Sequence, residues 1–395
     1  MRRSTALTLT AGWALAPSVV FAADAKPAAL HTGSFPSGKV DGITDVGGVR
    51  VAHLTKISGS GKLRPGLGPV RTGATAILQN RDPWTQRCAA AFYALNGNGE
   101  FTGTHWIEES GFIEHPILLT GTMNVPRVAD GVESWMIEQH PDIGITEDVP
   151  LPVVGECDDQ GMNDDQGRHV LASEIPPLLN RAASGQFARG NVGAGTGMHG
   201  FSFKGGIGSS SRVLPENLGG YTIGVLLNLN GGSRERLTIA GVPVGRVMLH
   251  EFLPAVPTFR RRVGYLAGRG RIVGGSINVI VATDAPIDSH ILHAMIQRVA
   301  FGLGKAGWSS LISSGDFVLG FSTTNLTPRN PGKQNETIDE DEHHVNALYS
   351  ATADAAESAV YDALWSARTM VGADGWVLYG LPHERVRALL AQQRR

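Results

Sequence analysis

The stretch Gly274-Gly275-Ser276-Ile277-Asn278-Val279-Ile280-Val281-Ala282-Thr283-Asp284 constrains this chain more than any other. Its β-branched run reads as a buried strand. Two glycines free the backbone just ahead of it, and the strand's first residue is a serine. As local structure, Gly274-Gly275 is a turn and Ser276 an ordinary strand start. As chemistry, a cut between Gly275 and Ser276 would put a hydroxyl and a free α-amine on one residue. A terminal amine is an accepted activator of a hydroxyl nucleophile. Its ordinary pKa of about 7.7–8.0 leaves a useful unprotonated fraction near neutrality.

The rest of the chain alternates short apolar runs with helical spacing. Strands are expected over residues 70–78, 89–95, 117–120, 221–230 and 317–323. Another over residues 153–159 delivers Glu156, Asp158 and Asp159 into a loop. Helical spacing marks residues 128–138, 290–305 and 345–364, and residues 325–340 read as an exposed loop. Such alternation predicts a layered α/β domain. The 395 residues allow one large or two ordinary domains. A net charge of −2 argues against nucleic acid or an anionic membrane as the main partner. The 51 glycines are interleaved with Val, Ile and Leu, so they indicate tight turns and not disorder.

Residues 1–22 read as an export signal. Arg2-Arg3 precede an apolar stretch that ends in Val20-Phe21-Ala22, with cleavage expected after Ala22 and a periplasmic or secreted product. Cys88 and Cys157 are expected to be free and buried, and two cysteines are too few for a zinc site of their own. Asn191-Val192-Gly193-Ala194-Gly195-Thr196-Gly197 imitates a dinucleotide fingerprint, but no long helix follows it and no acid sits at the required spacing. Glu340-Asp341-Glu342-His343-His344 reads as a solvated helix start, because acids favour helix N-termini. Residues 260–271 are basic and read as an exposed segment ahead of the suspected cut.

Several stretches, taken in order, carry a family resemblance. They are Ile43-Thr44-Asp45-Val46-Gly47-Gly48, Gly68-Pro69-Val70-Arg71-Thr72-Gly73, Trp106-Ile107-Glu108-Glu109-Ser110-Gly111 and Gly190-Asn191-Val192-Gly193. Lys204-Gly205-Gly206-Ile207-Gly208-Ser209, Gly275-Ser276-Ile277 and Ser314-Gly315-Asp316 follow. The chain resembles the DmpA-type and β-peptidyl aminopeptidases, self-processing serine peptidases. The resemblance implies an α/β fold, the four-layer αββα sandwich of the DmpA/ArgJ-like class. It also implies a single catalytic domain cut into an α piece (23–275) and a β piece (276–395), with processed units joined in a homo-oligomer. It implies removal of amino-terminal residues from short peptides, amides or esters, β-amino acids among them, with D-alanine or L-amino-acid substrates as the alternative within the family.

The resemblance makes Ser276 the nucleophile and Ser314 and Asp316 its supports. Asn230 becomes the oxyanion donor, and Glu156 the carboxylate that holds the substrate's free amine. One departure stands out: a tyrosine whose hydroxyl is the family's second oxyanion donor falls at Asp158. An ionised Asp accepts hydrogen bonds and cannot donate them. Either another group donates, or Asp158 points away, or the loop is shifted. The residues' own chemistry agrees with hydrolysis by a terminal serine. There is no Gly-x-Ser-x-Gly elbow and no His-Glu-x-x-His zinc motif, and the reaction calls for no metal or organic cofactor. An ornithine-acetyltransferase-like acyltransferase would use threonine at the nucleophile position. A non-catalytic peptide-binding homologue would find its support in Asp158.

Overall fold

A computed structural model describes residues 26–255, 266–267, 271–272, 275–329 and 342–392. The expected export signal, most of the basic segment 260–271, and residues 330–341 lie outside these. Two large sheets dominate the described residues. Strands β1 (Arg50–Ser58), β2 (Val70–Leu78), β3 (Gln86–Gly97), β4 (Phe112–Ile113), β5 (Ile117–Gly121) and β6 (Val153–Cys157) come first in the chain. Then follow β7 (Gly206–Val213), β8 (Thr222–Asn230), β9 (Ser276–Thr283) and β10 (Gly315–Pro328). One sheet has the order β1-β2-β5-β6 and the other β4-β3-β10-β9-β8-β7.

Alternation along the strands assigns their side chains to layers. In β9, Ile277, Val279 and Val281 join one cluster, while Ile280 and Ala282 join another. The first cluster packs under helices α4 (Ser289–Gln297), α5 (Val299–Ala306) and α6 (Glu342–Ser366), which come after α1 (Thr104–Ser110), α2 (Val125–Gln139) and α3 (Ile175–Asn180) in the chain. The second cluster lies between the sheets: Val51, Ile77, Ile117 and Leu119 meet Phe92, Leu226, Ile280, Phe317 and Leu319. On the far side, Ala74, Ala76, Leu118 and Val154 pack against Val128, Val132 and Trp135 of α2 and Leu178 of α3. The order of layers is therefore helix, sheet, sheet, helix, as the resemblance implied.

Two expectations change. The helical stretch 290–305 is two helices. At Arg298 the bonds shorten to three-residue spacing, Arg298 N–H to Met295 O at 3.0 Å and Phe301 N–H to Arg298 O at 3.1 Å, which breaks the α ladder. The expected loop 325–340 begins later, because β10 continues to Pro328. After a register shift beyond Phe321, Leu326, Thr327 and Pro328 pair with Cys88, Arg87 and Gln86. Pairing with the long β3 keeps a polar, Pro-ended segment in the sheet edge region. Both cysteines are free and buried. No described helix is long and apolar enough to cross a membrane.

Ile280 is fully buried between the sheets. Ile280→Ala should therefore cost about 2–5 kcal/mol in urea unfolding. Ile137→Ala, at a position 49% exposed on α2, should stay within about 0.5 kcal/mol.

Candidate active site

Three strand ends meet at one end of the six-stranded sheet. β8 and β9 are antiparallel, so the last residue of β8, Asn230, pairs with the first of β9, Ser276. β9 and β10 are parallel, so the start of β10 lies beside the same end, with Asp316 opposite Ile277. Ser276, Ser314, Asp316, Asn230 and Glu156 are all buried. The Gly315 N–H points at Ser276 Oγ at 3.4 Å. Ahead of the serine, Gly275 has φ +137°, and a Cβ there would fall 2.0 Å from the Asn230 carbonyl oxygen. Only glycine fits this junction.

Asp316 accepts a short hydrogen bond from Ser314 Oγ and one of 3.1 Å from Trp308 Nε1. Burial raises its pKa, and these donors oppose the rise. Trp308 has no counterpart among the expected site residues. Its only advance signal is a lone indole donor a few residues before Ser314.

Glu156 is held by Thr122 Oγ1 on one carboxylate oxygen and by the Glu100 N–H, at 3.2 Å, on the other. Burial raises its pKa, the Thr122 and Glu100 bonds lower it, and Asp158 adds to the rise. A Cβ on Gly99 would come within 2.6 Å of Glu156 Oε1 and 3.3 Å of Gly315 Cα. Gly99 is thus packed between the carboxylate and Gly315, the residue whose N–H points at Ser276 Oγ, with no room for a side chain.

Asn230 is fixed at both ends of its amide. Oδ1 accepts from the His199 N–H at 3.2 Å, and Nδ2 donates to the Asp158 carbonyl at 2.9 Å. An amide NH2 has two hydrogens, so one bond to Asp158 orients the group and leaves the second hydrogen for another acceptor. Asp158 meets Asn230 through its backbone, while its carboxylate accepts from the Gln160 N–H at 2.7 Å within its own loop. The loop that supplies His199 is closed by Lys204, whose buried ammonium donates to the carbonyls of Gly195, Met198 and Gly205. Burial brings the pKa of Lys204 down to about 7. The decoy motif at 191–197 forms a single 3-10 turn, Gly193–Gly195, beneath this loop.

The model of peptidase family S58 matches residues 41–378. The β-peptidyl aminopeptidase BapA of Sphingosinicella microcystinivorans is 38% identical over 363 residues, 91% of this chain and 89% of that protein. Among solved structures, a Burkholderia sp. β-aminopeptidase matches with TM-score 0.80 and 35% identity over 91% of this chain and 96% of its own. The L-aminopeptidase D-Ala-esterase/amidase of Ochrobactrum anthropi matches with TM-score 0.81 and 34% identity over 93% and 98%. That protein is described as a variant of the Ntn hydrolase fold.

Thr122 yields a test of the carboxylate's setting. Thr122→Val removes a donor from Glu156, so the Glu156 pKa should climb further. If Glu156 holds the substrate's ammonium, it must do so ionised, and KM would rise as pH falls through that pKa. In the variant this rise should begin higher, by about one to two pH units if a charged hydrogen bond contributes about 1.5–3 kcal/mol. A KM–pH curve superimposable on the wild type's would refute it.

Proposed function

The chain belongs to peptidase family S58 and is an aminopeptidase of that family, and from that premise we propose that Ser276, freed by self-cleavage after Gly275, is its nucleophile. The observation that carries this is the meeting of Ser276, Asn230, Ser314 and Asp316 at one end of the six-stranded sheet, with Gly99 packed between the Glu156 carboxylate and Gly315. In turnover, Ser276 Oγ attacks the carbonyl of the substrate's first residue. The Ser276 α-amine takes the hydroxyl proton and returns it to the departing amine as the C–N bond breaks. Ser314 and Asp316 hold that amine, and the second amide hydrogen of Asn230 meets the oxyanion. Water then attacks the ester, and the free amino acid leaves. Glu156 holds the substrate's ammonium, which restricts the enzyme to amino ends.

Release of β-amino acids is the substrate reading favoured here, supported by the names of the BapA relative and the Burkholderia β-aminopeptidase. The Ochrobactrum relative's name supports the L- and D-alanine alternative. Export, with a periplasmic or secreted product, belongs to the same proposal and is supported by the pattern of residues 1–22. Assembly of processed units into a homo-oligomer rests on the resemblance alone.

The purified protein should give two bands on a denaturing gel, the smaller beginning Ser-Ile-Asn-Val. Ser276→Ala should remain one chain for want of a nucleophile. Gly275→Ala should remain one chain because its Cβ has no room against the Asn230 carbonyl. A different new terminus in the wild type, or a cut Gly275→Ala chain, would sink the assignment.

Free amino-terminal peptides and amides should be hydrolysed, whereas acetylation of the same substrates should abolish turnover. Equal hydrolysis of an acetylated peptide amide would make the enzyme an endopeptidase or general amidase. Between β-homoglycyl, D-alanyl and L-alanyl p-nitroanilides, kcat/KM should favour the β-substrate. A tenfold preference for either alanyl compound, about 1.4 kcal/mol in transition-state binding, would move the enzyme to the alanine type.

A further inference from the structure

Strand β9 alternates between two faces. Ile277, Val279 and Val281 face the helices, so Ser276, Asn278, Ile280 and Ala282 face the other sheet. On β8 the same parity sends Leu226, Asn228 and Asn230 to that face. Ser276 and Asn230 sit at the site and have chemical reasons to be polar. Asn278 and its cross-strand partner Asn228 lie one step deeper, fully buried, where the pattern calls for an aliphatic residue.

Asn278 is poorly satisfied as a core residue. Its Oδ1 has no partner among the described residues, and neither Oδ1 nor Nδ2 of Asn228 has one. Buried polar atoms left in this state destabilise the fold, because they lose water and gain no partner. The amide nitrogen of Asn278, however, donates to the Glu156 carbonyl at 2.8 Å and lies 3.6 Å from Cys157 Sγ. That bond runs from the strand that begins with Ser276 to the strand end that carries Glu156. The two strands belong to different sheets and share no ladder. Apolar contact between sheets is non-directional, so it leaves the offset of one sheet over the other loosely specified. A hydrogen bond of fixed length and angle specifies it.

This offset has a chemical meaning on the reading of Glu156 and Ser276 given above, on which the inference rests. With the substrate's ammonium on Glu156, the distance to Ser276 Oγ decides where the scissile carbonyl must lie. A β-amino acid places one more methylene between amine and carbonyl than an α-amino acid does. We propose that Asn278 is a specificity-determining residue that acts by position: its bond to the Glu156 carbonyl sets the span between amine site and nucleophile and so selects the backbone length of the amino-terminal residue. It touches no substrate atom.

The test compares processed wild type with Asn278→Leu, which keeps the volume and removes the donor. kcat/KM is measured on β-homoglycyl and L-alanyl p-nitroanilides. The ratio of the two values should change by tenfold or more, whereas a residue that merely supports the fold would lower both by one factor. An equal fall in both, or no change in either, overturns the proposal. If Asn278→Leu gives no processed protein, Asn278→Ser, which keeps a shorter donor, is read by the same ratio. Glu156→Gln is the parallel control. If it leaves KM for both substrates unchanged, the amine-site reading fails and this inference with it. If it raises KM while the Asn278 ratio stays fixed, only the role of Asn278 fails.

Discussion

The packing of one sheet on the other fixes where chemistry can occur in this chain. Val51, Ile77 and Leu119 close against Leu226, Ile280 and Phe317 over most of the interface. Toward one end the residues on that face become Asn228, Asn278, Asn230 and Ser276. Strand direction then fills the end with partners. An antiparallel neighbour brings the last residue of β8 to the first of β9, and a parallel neighbour brings the start of β10 to the same place. Three segments far apart in sequence converge because β9 is central and its two neighbours run in opposite senses.

Burial at that convergence acts on both acids in one direction and hydrogen bonding in the other. Asp316 and Glu156 are each raised by desolvation and each held back by donors. For Glu156 the donors come from a hydroxyl and a backbone N–H, for Asp316 from a hydroxyl and an indole. None of these is a cation, so neither carboxylate is neutralised by an internal ion pair in these bonds. A carboxylate prepared by neutral donors stays available to a charged ligand, which suits an ammonium. Asn230 is prepared similarly, with Asp158 entering through its carbonyl and not its acid.

Much of this was legible in the residues. The strand at 70–78 appears with the expected bounds, and the β-branched run after Ser276 is the buried strand its pattern predicted. The layer order was legible only through the resemblance, because alternation tells which residues share a face and not what covers it. The break at Arg298 was hidden, since one turn of tighter bonding leaves the apolar spacing intact. Thr122, Trp308 and Lys204 were hidden for another reason. Each is a single polar residue whose role comes from a contact made only in the folded chain: Thr122 with Glu156 of a later strand, Trp308 with Asp316 a few residues after it, and Lys204 with the carbonyls of its own loop. Asn278 did interrupt an apolar run in plain view, yet only the bond to the Glu156 carbonyl distinguishes it from a tolerated core polar group.

On the proposed self-cleavage, the uncut chain and the processed enzyme use these groups differently. Before cleavage the nitrogen of Ser276 is an amide, with its lone pair delocalised into the Gly275 carbonyl, and it cannot take a proton near neutrality. The base proposed for turnover does not exist until the bond is broken. Other parts are already assembled in the uncut chain: the Ser314–Asp316 bond, the doubly held Asn230 amide, and the Gly315 N–H on Ser276 Oγ. Gly275 is pressed against the Asn230 carbonyl with no room for a side chain. The first cut therefore draws on preorganised geometry without the amine, and every later turnover draws on the same geometry with it. On the proposed mechanism, that asymmetry would leave the chain inactive toward peptides until it had cut itself once.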